Sequence, residues 1–508
     1  MKILGVGNAA REHAIAEKLS ISRHEPEIYW IGEYLNPGID KICKSSKGDY
    51  ALADTTSPSK VLEWATKWRV DFVFIGPEEP NFHGVPDVLR KNGVPCIGAT
   101  RSAAMIEMSK AALRRLQWKH DLRGKLLFKT FATAEQARNT LEKYSDTLTW
   151  MQNVALKPAR QAGGRGVKVI DDRQLYLHDE KQKFKTSHFS WLENYMKSYS
   201  DIEDKILIEE NVWGPEYTLQ CFTDGRNVIG MPLVQDNKNA HEFDIGTETG
   251  GMGSISGPEK TLPFITEDEY QESLEIVKGI VRAIQATTGE DYMGIVAGQM
   301  MLTEVEGPTI IEMYSRLGDP EALNVLAMLE SDLVDICFAI LNRNLKESDV
   351  KFNHRATVVK ALAPKGYPAP RNLATDHPIQ ADEDQIDKIG ARLFWASAHR
   401  REDREIVTLG SRALEILAQA RDHPSASAIV ERAIEQVKFK DGWGAFHRSD
   451  IGTAELMERR MELADRARNL YSQRRAKGTL GRRRDWLPKV GIIDPAKKLR
   501  EEIAGLGE

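Results

Sequence analysis

Apolar and polar positions change period along the first hundred residues. Lys2–Val6 is a short apolar run ending in a glycine turn, residues 10–19 repeat apolar positions at helical spacing, residues 27–31 form a second short run, and residues 70–75 form a third that stops at Gly76-Pro77. Strands alternating with a helix predict a parallel sheet. Residues 154–170 then place two apolar strands on either side of a glycine-rich turn, which reads as a hairpin flap. Residues 205–210 give another apolar strand ending in two acids, and residues 310–314 a further one that runs into Ser-Arg-Leu-Gly-Asp-Pro. Through residues 247–258, Thr-Glu-Thr-Gly-Gly-Met-Gly-Ser-Ile-Ser-Gly-Pro, no periodic structure can be written, so this stretch is expected to be a loop that brings backbone close to a ligand.

With 508 residues the chain exceeds one hydrophobic core, and three or four domains are expected. A formal net charge of −5 argues against a general nucleic-acid-binding role, and only the last segment is locally basic. No apolar run is long enough for a membrane span, and the N-terminus lacks the apolar region of a signal peptide. Cys43, Cys96, Cys221 and Cys337 lie far apart without metal-ligand spacing, which fits buried reduced thiols in a cytoplasmic protein.

The glycine turn at Gly5-Val-Gly7 sits between strand and helix, where a phosphate-binding turn belongs, and Glu33 follows the second strand at a distance suited to a ribose. A nicotinamide-dinucleotide domain is one reading, and a tight strand-to-helix turn is another. Arg11-Glu12-His13 opens the helix, and His13 suits a surface or packing position better than a catalytic one. In the flap, Lys157 can neutralise phosphate charge while Gly163, Gly164 and Gly166 allow backbone N–H groups to close over phosphates. It lacks the ending of a P-loop. Glu209 and Glu210 end the next strand, where acids accept hydrogen bonds from an adenine amino group or a ribose, or are simply solvated. Asp236 and Lys238 follow the apolar run ending at Val234. Strand alternation puts Glu312, Tyr314 and Arg316 on one face, a carboxylate for a hard cation and a guanidinium fork for a phosphate or carboxylate.

These segments, in this order, resemble the phosphoribosylamine–glycine ligase (glycinamide ribonucleotide synthetase) family of the ATP-grasp superfamily over about residues 1–455. The resemblance is carried by Gly5-Val-Gly7 with Arg11-Glu12-His13-Ala14, Gly76-Pro77-Glu78, Ser109-Lys110, Lys157-Pro158, Gly164-Arg165-Gly166-Val167, Gln235-Asp236, Lys238 and Thr249-Gly250-Gly251-Met252-Gly253. It continues through Gly298-Gln299-Met300, Glu312, Arg316, Gly318-Asp319-Pro320-Glu321 and Arg448-Ser449-Asp450-Ile451-Gly452. It implies a mixed α/β and α+β architecture: an N-terminal parallel-sheet domain at 1–104, an ATP-grasp core at 105–345 with a lid inserted at about 124–205, a C-terminal α+β domain at 346–465, and a basic tail at 466–508.

The resemblance also implies site roles. Lys110, Lys157, Gly163, Gly164, Arg165 and Gly166 would contact ATP phosphates, and Glu209, Glu210 and Glu216 would lie along the adenosine. Gly7, Arg11, Glu78, Thr249, Gly250, Gly251, Gly318, Asp319 and Pro320 would bind substrate. Arg316, Asp236 and Lys238 would serve the chemistry, and Gln299 and Glu312 would ligate Mg2+ or Mn2+. The implied reaction joins glycine to 5-phosphoribosylamine through glycyl phosphate, giving glycinamide ribonucleotide, ADP and phosphate. Another carboxylate–amine ligase of the superfamily, or a non-catalytic ATP-binding regulator, are the alternatives.

Some positions depart from the family pattern. Arg160-Gln161 stand where Gly-Leu is usual, Thr247-Glu248 replace Pro-Asn, Asn239 replaces Arg, and Tyr314 replaces Asn. A neutral phenol is a poor ligand for a hard cation, so magnesium is expected to rely on Gln299, Glu312, phosphates and water, with Tyr314→Asn lowering the magnesium requirement. Residues 466–508, with Arg482-Arg-Arg484 and Lys497-Lys498, are expected to be a solvated helical tail whose loss is tolerated.

Overall fold

The computed structural model describes residues 1–143, 149–151, 153–161, 166–183, 186–483, 485–487 and 491–505. The chain divides into two compact units. The first comprises Met1–Ala104, Glu216–Gln299 and Tyr314–Glu462, and the second Met105–Pro215, Met300–Met313 and Leu463–Glu508.

In the first unit, five parallel strands run in the order Tyr50–Leu52, Glu27–Gly32, Lys2–Val6, Phe72–Ile75, Cys96–Ile97. The central strand is almost wholly buried, as expected when a parallel sheet is covered on both faces. The short outer strands Tyr50–Leu52 and Cys96–Ile97 have too few residues to show a period in the sequence. Helix Ala10–Ser20 follows the glycine turn and buries Ala10, Ala14, Ile15 and Leu19. A second sheet places Glu216–Thr223, Val234–Asp236, Gly253–Ser256, Ala356–Pro364, Leu414–Ala420 and Ala391–Trp395 side by side, each antiparallel to its neighbour.

Gly253–Ser256 corrects the expectation that residues 247–258 carry no regular structure. It is a fully buried strand paired with Val234–Asp236 on one side and Ala356–Pro364 on the other. Small side chains are required there because a Cβ on Gly253 would lie 2.2 Å from the carbonyl oxygen of Val359. Its φ of +146° also disfavours any side chain. Composition suggested a loop, whereas tertiary crowding made a strand from the same residues. Ile245–Glu248 is likewise a strand, pairing with Asn239–His241.

In the second unit, an antiparallel sheet runs Phe128–Phe131, Ile206–Glu210, Val154–Pro158, Lys168–Ile170. The last two form the predicted hairpin flap. Helix Lys110–Lys119 starts where the Ser109 hydroxyl accepts the Ala112 N–H at 3.2 Å.

The tail is not the solvated appendage that its composition suggested. Ala467 and Tyr471 of helix Ala454–Ala476 are buried, as are Ala496 and Leu499 of helix Pro495–Gly505. The terminal helix lies against Lys110–Lys119, where Arg500 covers the Trp118 ring at 5.8 Å. Its basic residues dominate the composition, and the apolar residues that dock it, Ala464, Ala467 and Tyr471 in one helix and Ala496 and Leu499 in the other, lie at helical spacing but are few and mostly small beside them.

All four cysteines are buried, and burial raises each thiol pKa, for Cys96 to about 12. Among the described residues no helix is long and apolar enough to cross a membrane.

Gly253→Ala is expected to destabilise the first unit by about 3 kcal/mol through backbone overlap. Urea unfolding should show a lowered midpoint, with Gly505→Ala, which meets nothing within 4 Å, leaving it unchanged.

Candidate active site

In the first unit the glycine turn is held by a pair of backbone contacts. Gly7 N–H donates to the Ile31 carbonyl at 3.0 Å, and Trp30 Nε1–H donates to the Gly7 carbonyl at 2.7 Å. Glu12 accepts the Ala9 N–H at 2.6 Å and Arg11 Nε–H at 2.5 Å. Arg11 also donates to the Leu317 carbonyl at 3.0 Å, which fastens the helix start to the segment after Tyr314. Glu78 joins here: Arg316 lies 3.1 Å from it and Arg11 3.9 Å. Burial would raise the Glu78 carboxyl pKa, but Arg316 and Arg11 hold it below its usual value. The Arg316 guanidinium lies over the Tyr314 ring at 4.3 Å. The Tyr314 ring thus faces a cation of the protein.

Arg412 organises the adjoining turn. It donates to the carbonyls of Gly250 at 3.0 Å, Gly251 at 2.7 Å and Asp319 at 3.3 Å, and to the Asp319 carboxylate at 2.9 Å. Its other carboxylate neighbour, fully buried Glu415, is 3.3 Å away. Burial lifts the Glu415 pKa well above normal, whereas for Asp319 the pull of Arg412 and Arg11 outweighs burial and lowers it. Burial and the charge of Asp319 thus oppose ionisation of Glu415, whereas Arg412 and Arg11 favour that of Asp319.

Asp236 packs behind the same loop, since a Cβ on Gly251 would come within 2.8 Å of its Oδ1 and 2.7 Å of the Pro320 ring. Burial and the nearby Glu321 raise the Asp236 pKa well above normal. Its Oδ1 has no hydrogen-bond partner among the described residues. Thr249 donates to the Lys238 carbonyl at 2.7 Å and accepts the Gly251 N–H at 3.0 Å. Lys238 Nζ and Gln299 Nε2 each lie 2.8 Å from Glu216 Oε2. Glu216 thus joins Lys238 and Gln299 through one carboxylate oxygen. Thr218 bridges Gln299 Oε1 at 2.8 Å and Glu321 at 3.2 Å, and Gly318 N–H reaches Gln220 at 2.8 Å.

The second unit holds the remaining cluster. Glu209 lies 2.6 Å from Arg114 and 2.8 Å from Lys157, all three buried. Burial raises its pKa, but the two cations prevail and bring it down to about 2. Lys110 sits 3.1 Å from Gln161 Oε1 and 3.3 Å from Glu312. Glu210 accepts the Leu127 N–H at 2.8 Å and a two-pronged contact from Arg483 at 2.6 and 2.5 Å. Gly166 takes a left-handed turn at φ 73°, and its carbonyl meets His188 Nε2 at 2.9 Å. Gly163, Gly164 and Arg165 lie outside the described residues.

Residues 1–107, 108–322 and 357–454 match, in order, the phosphoribosylglycinamide synthetase N domain, ATP-grasp (A) domain and C domain. A phosphoribosylamine–glycine ligase of Thermococcus kodakarensis is 41% identical over 463 residues, 91% of this chain and 98% of that protein. The chain belongs to the phosphoribosylamine–glycine ligase family. A relative of that name from Methanocaldococcus jannaschii is 40% identical over the same shares of both chains. Among solved structures, the ligase of Thermotoga maritima covers 89% of this chain and 100% of its own at a TM-score of 0.68 and 23% identity. A biotin carboxylase from Campylobacter jejuni shares the fold at a TM-score of 0.62 and 14% identity, covering 90% of this chain and 95% of its own.

Ligases of this family have the three-domain architecture of N-terminal parallel sheet, ATP-grasp core and C-terminal domain, and ATP-grasp enzymes use ATP with Mg2+ or Mn2+. Two departures from the family pattern have local explanations. Arg160 pairs with Asp201 at 2.9 Å and stacks on Tyr199, while Gln161 meets Lys110. Arg114, Arg412, Glu415 and Arg483 escaped sequence reading as site residues. A buried arginine carries no local signal, because its partners are distant in sequence: Asp319 lies 93 positions from Arg412.

His13 is a packing residue. It is buried, its Nδ1 accepts the Trp395 N–H at 2.9 Å, and burial lowers its pKa to about 3. The unfolded chain takes up this proton near its ordinary value of 6.5 and the folded chain does not, so stability is lost as pH falls below that value. The loss attributable to His13 is expected to approach about 1.4 kcal/mol per pH unit below that value. Unfolding of wild type and His13→Gln between pH 7 and about 5 measures it as the difference in slope.

Proposed function

We propose that this chain joins glycine to 5-phosphoribosylamine at the expense of ATP, forming glycinamide ribonucleotide, ADP and phosphate in purine biosynthesis. The observation that carries this reading beyond family membership is the convergence in the first unit of Arg11, Arg316 and the Gly318-Asp319-Pro320 turn, tied through Leu317 and Arg412, with the Gly7 turn packed on Glu12, the partner of Arg11. A helix start with two guanidinium groups suits the phosphate of a ribose phosphate. Gly7, Arg11, Glu78, Thr249, Gly250, Gly251, Gly318, Asp319 and Pro320 are its proposed contacts.

In the second unit, Lys110 and Lys157 are the proposed ATP phosphate contacts. Each now faces a carboxylate, Glu312 and Glu209 respectively, so incoming phosphates would meet cations already oriented. We place the flap Gly163, Gly164, Arg165 and Gly166 over the phosphates, within a lid at about 124–205, and the strand carrying Glu209 and Glu210 beside the adenosine. Domain limits of 1–104, 105–345 and 346–465 remain part of this reading.

Gln299 and Glu312 supply oxygen donors of the kind a hard cation takes, and they are the proposed magnesium or manganese ligands. When bound, that ion neutralises charge on the transferring phosphoryl group. A carboxylate is a poor acyl donor, so glycine's carboxylate oxygen first takes the γ-phosphoryl group as ADP leaves. The amine nitrogen of phosphoribosylamine then attacks the glycyl carbonyl, its proton departs, and phosphate is expelled. Lys238, held by Glu216, is suited to neutralise the acyl phosphate. Asp236, with an unpartnered buried oxygen beside the Gly250-Gly251 loop, is suited to receive the amine proton. Arg316 would orient the ribose phosphate.

ADP release with glycine and freshly generated phosphoribosylamine, compared with each omitted, tests the assignment: release must require both. Glu312→Ala is expected to abolish turnover. Because the Tyr314 ring supports Arg316, Tyr314→Asn should raise the KM for phosphoribosylamine about three- to tenfold. The magnesium concentration for half-maximal rate should stay unchanged, which replaces the expectation drawn from sequence.

A further inference from the structure

The last segment of the chain lies beyond the matched family C domain, which ends at residue 454, yet it contributes to the second unit. Arg483 meets both oxygens of Glu210 with two nitrogens, at 2.6 and 2.5 Å, the parallel geometry that makes arginine–carboxylate pairs strong. Its third nitrogen donates to the Gly481 carbonyl at 3.0 Å, and Gly481 N–H donates to the Val305 carbonyl at 3.3 Å. The guanidinium is therefore anchored by backbone as well as by charge. Glu210 in turn accepts the Leu127 N–H, and its own N–H donates to the Leu127 carbonyl at 3.0 Å. Burial alone would make so enclosed a carboxylate costly to keep charged, and Arg483 is its ion-pair partner among the described residues. Leu480, Gly481, Arg483, Ala496 and Arg500 also wall a cavity of about 260 Å³ whose other side carries Trp118, Glu210 and Glu306.

We infer that residues 477–483 and 491–505 brace the nucleotide site, with Arg483 a positioning residue that fixes Glu210 and the end of strand Ile206–Glu210. Glu209, the next residue on the same strand, is the partner of Lys157, so a shift at Glu210 is transmitted through Glu209 to that proposed phosphate contact. The inference rests on placing this strand beside ATP. It makes the tail a specific addition to the nucleotide unit and reverses the expectation that its loss is tolerated.

The test uses the full chain, Arg483→Ala, Arg483→Lys and a chain ending at Lys477, with ADP affinity by calorimetry and steady-state kinetics on each. Arg483→Ala and the truncation are expected to weaken ADP binding and raise the KM for ATP at least about fivefold, with the KM for glycine unchanged. Arg483→Lys, which keeps the charge but loses the fork, should fall between them and wild type. ADP affinity within about twofold of wild type in Arg483→Ala and Arg483→Lys would overturn the inference, as would an equal rise in the KM values of ATP and glycine. Should the truncated chain fail to fold, the two point variants decide. A wild type that binds ADP but makes no product defeats the ligase reading alone; weakened binding in Arg483→Ala would still uphold the brace.

Discussion

A guanidinium held away from water must be answered by the atoms around it, and in the first unit that demand is concentrated on Arg412. Three carbonyls and a carboxylate surround it, drawn from a glycine loop and from the turn at Asp319. No one of those contacts would keep a small-residue loop in place. Together they convert a flexible sequence into a fixed wall, against which Asp236 is buried with one oxygen unpaired. Burial and the nearby Glu321 raise its carboxyl pKa, which makes its carboxylate a stronger proton acceptor once ionised.

The second unit solves the same problem with opposite polarity. There the central buried charge is the Glu209 carboxylate, and Arg114 and Lys157 answer it. The lysine is thereby placed without a ligand, and a phosphate has to compete with a carboxylate for it. Such an exchange of one anion for another disturbs little solvent, which favours specificity for a polyanion over a singly charged ligand. Arg114 also donates to the Ile311 carbonyl, linking this ion pair to the strand that bears Glu312.

Much of this was legible in sequence where a pattern is local. The strand Lys2–Val6 and the flap strands follow from short apolar runs, and the ordered motifs carried the family assignment. What escaped had causes outside the local window. Gly253–Ser256 looks like a loop because glycine and serine are turn formers, and only the neighbouring strand Ala356–Pro364 makes small residues obligatory. That Arg316 stacks on the Tyr314 ring, two positions back, is likewise not announced by the residues themselves. Arg412 and Arg483 are individually unremarkable in a chain with 70 basic residues, and only long-range pairing distinguishes them.

The second unit is assembled from three separated stretches of chain, the last of which is Leu463–Glu508. During synthesis the ribosome delivers Glu210 long before Arg483. The first unit has received every one of its residues by the time Arg483 is added. A chain cut ahead of Leu463 would therefore lack part of the second unit while retaining every residue of the first.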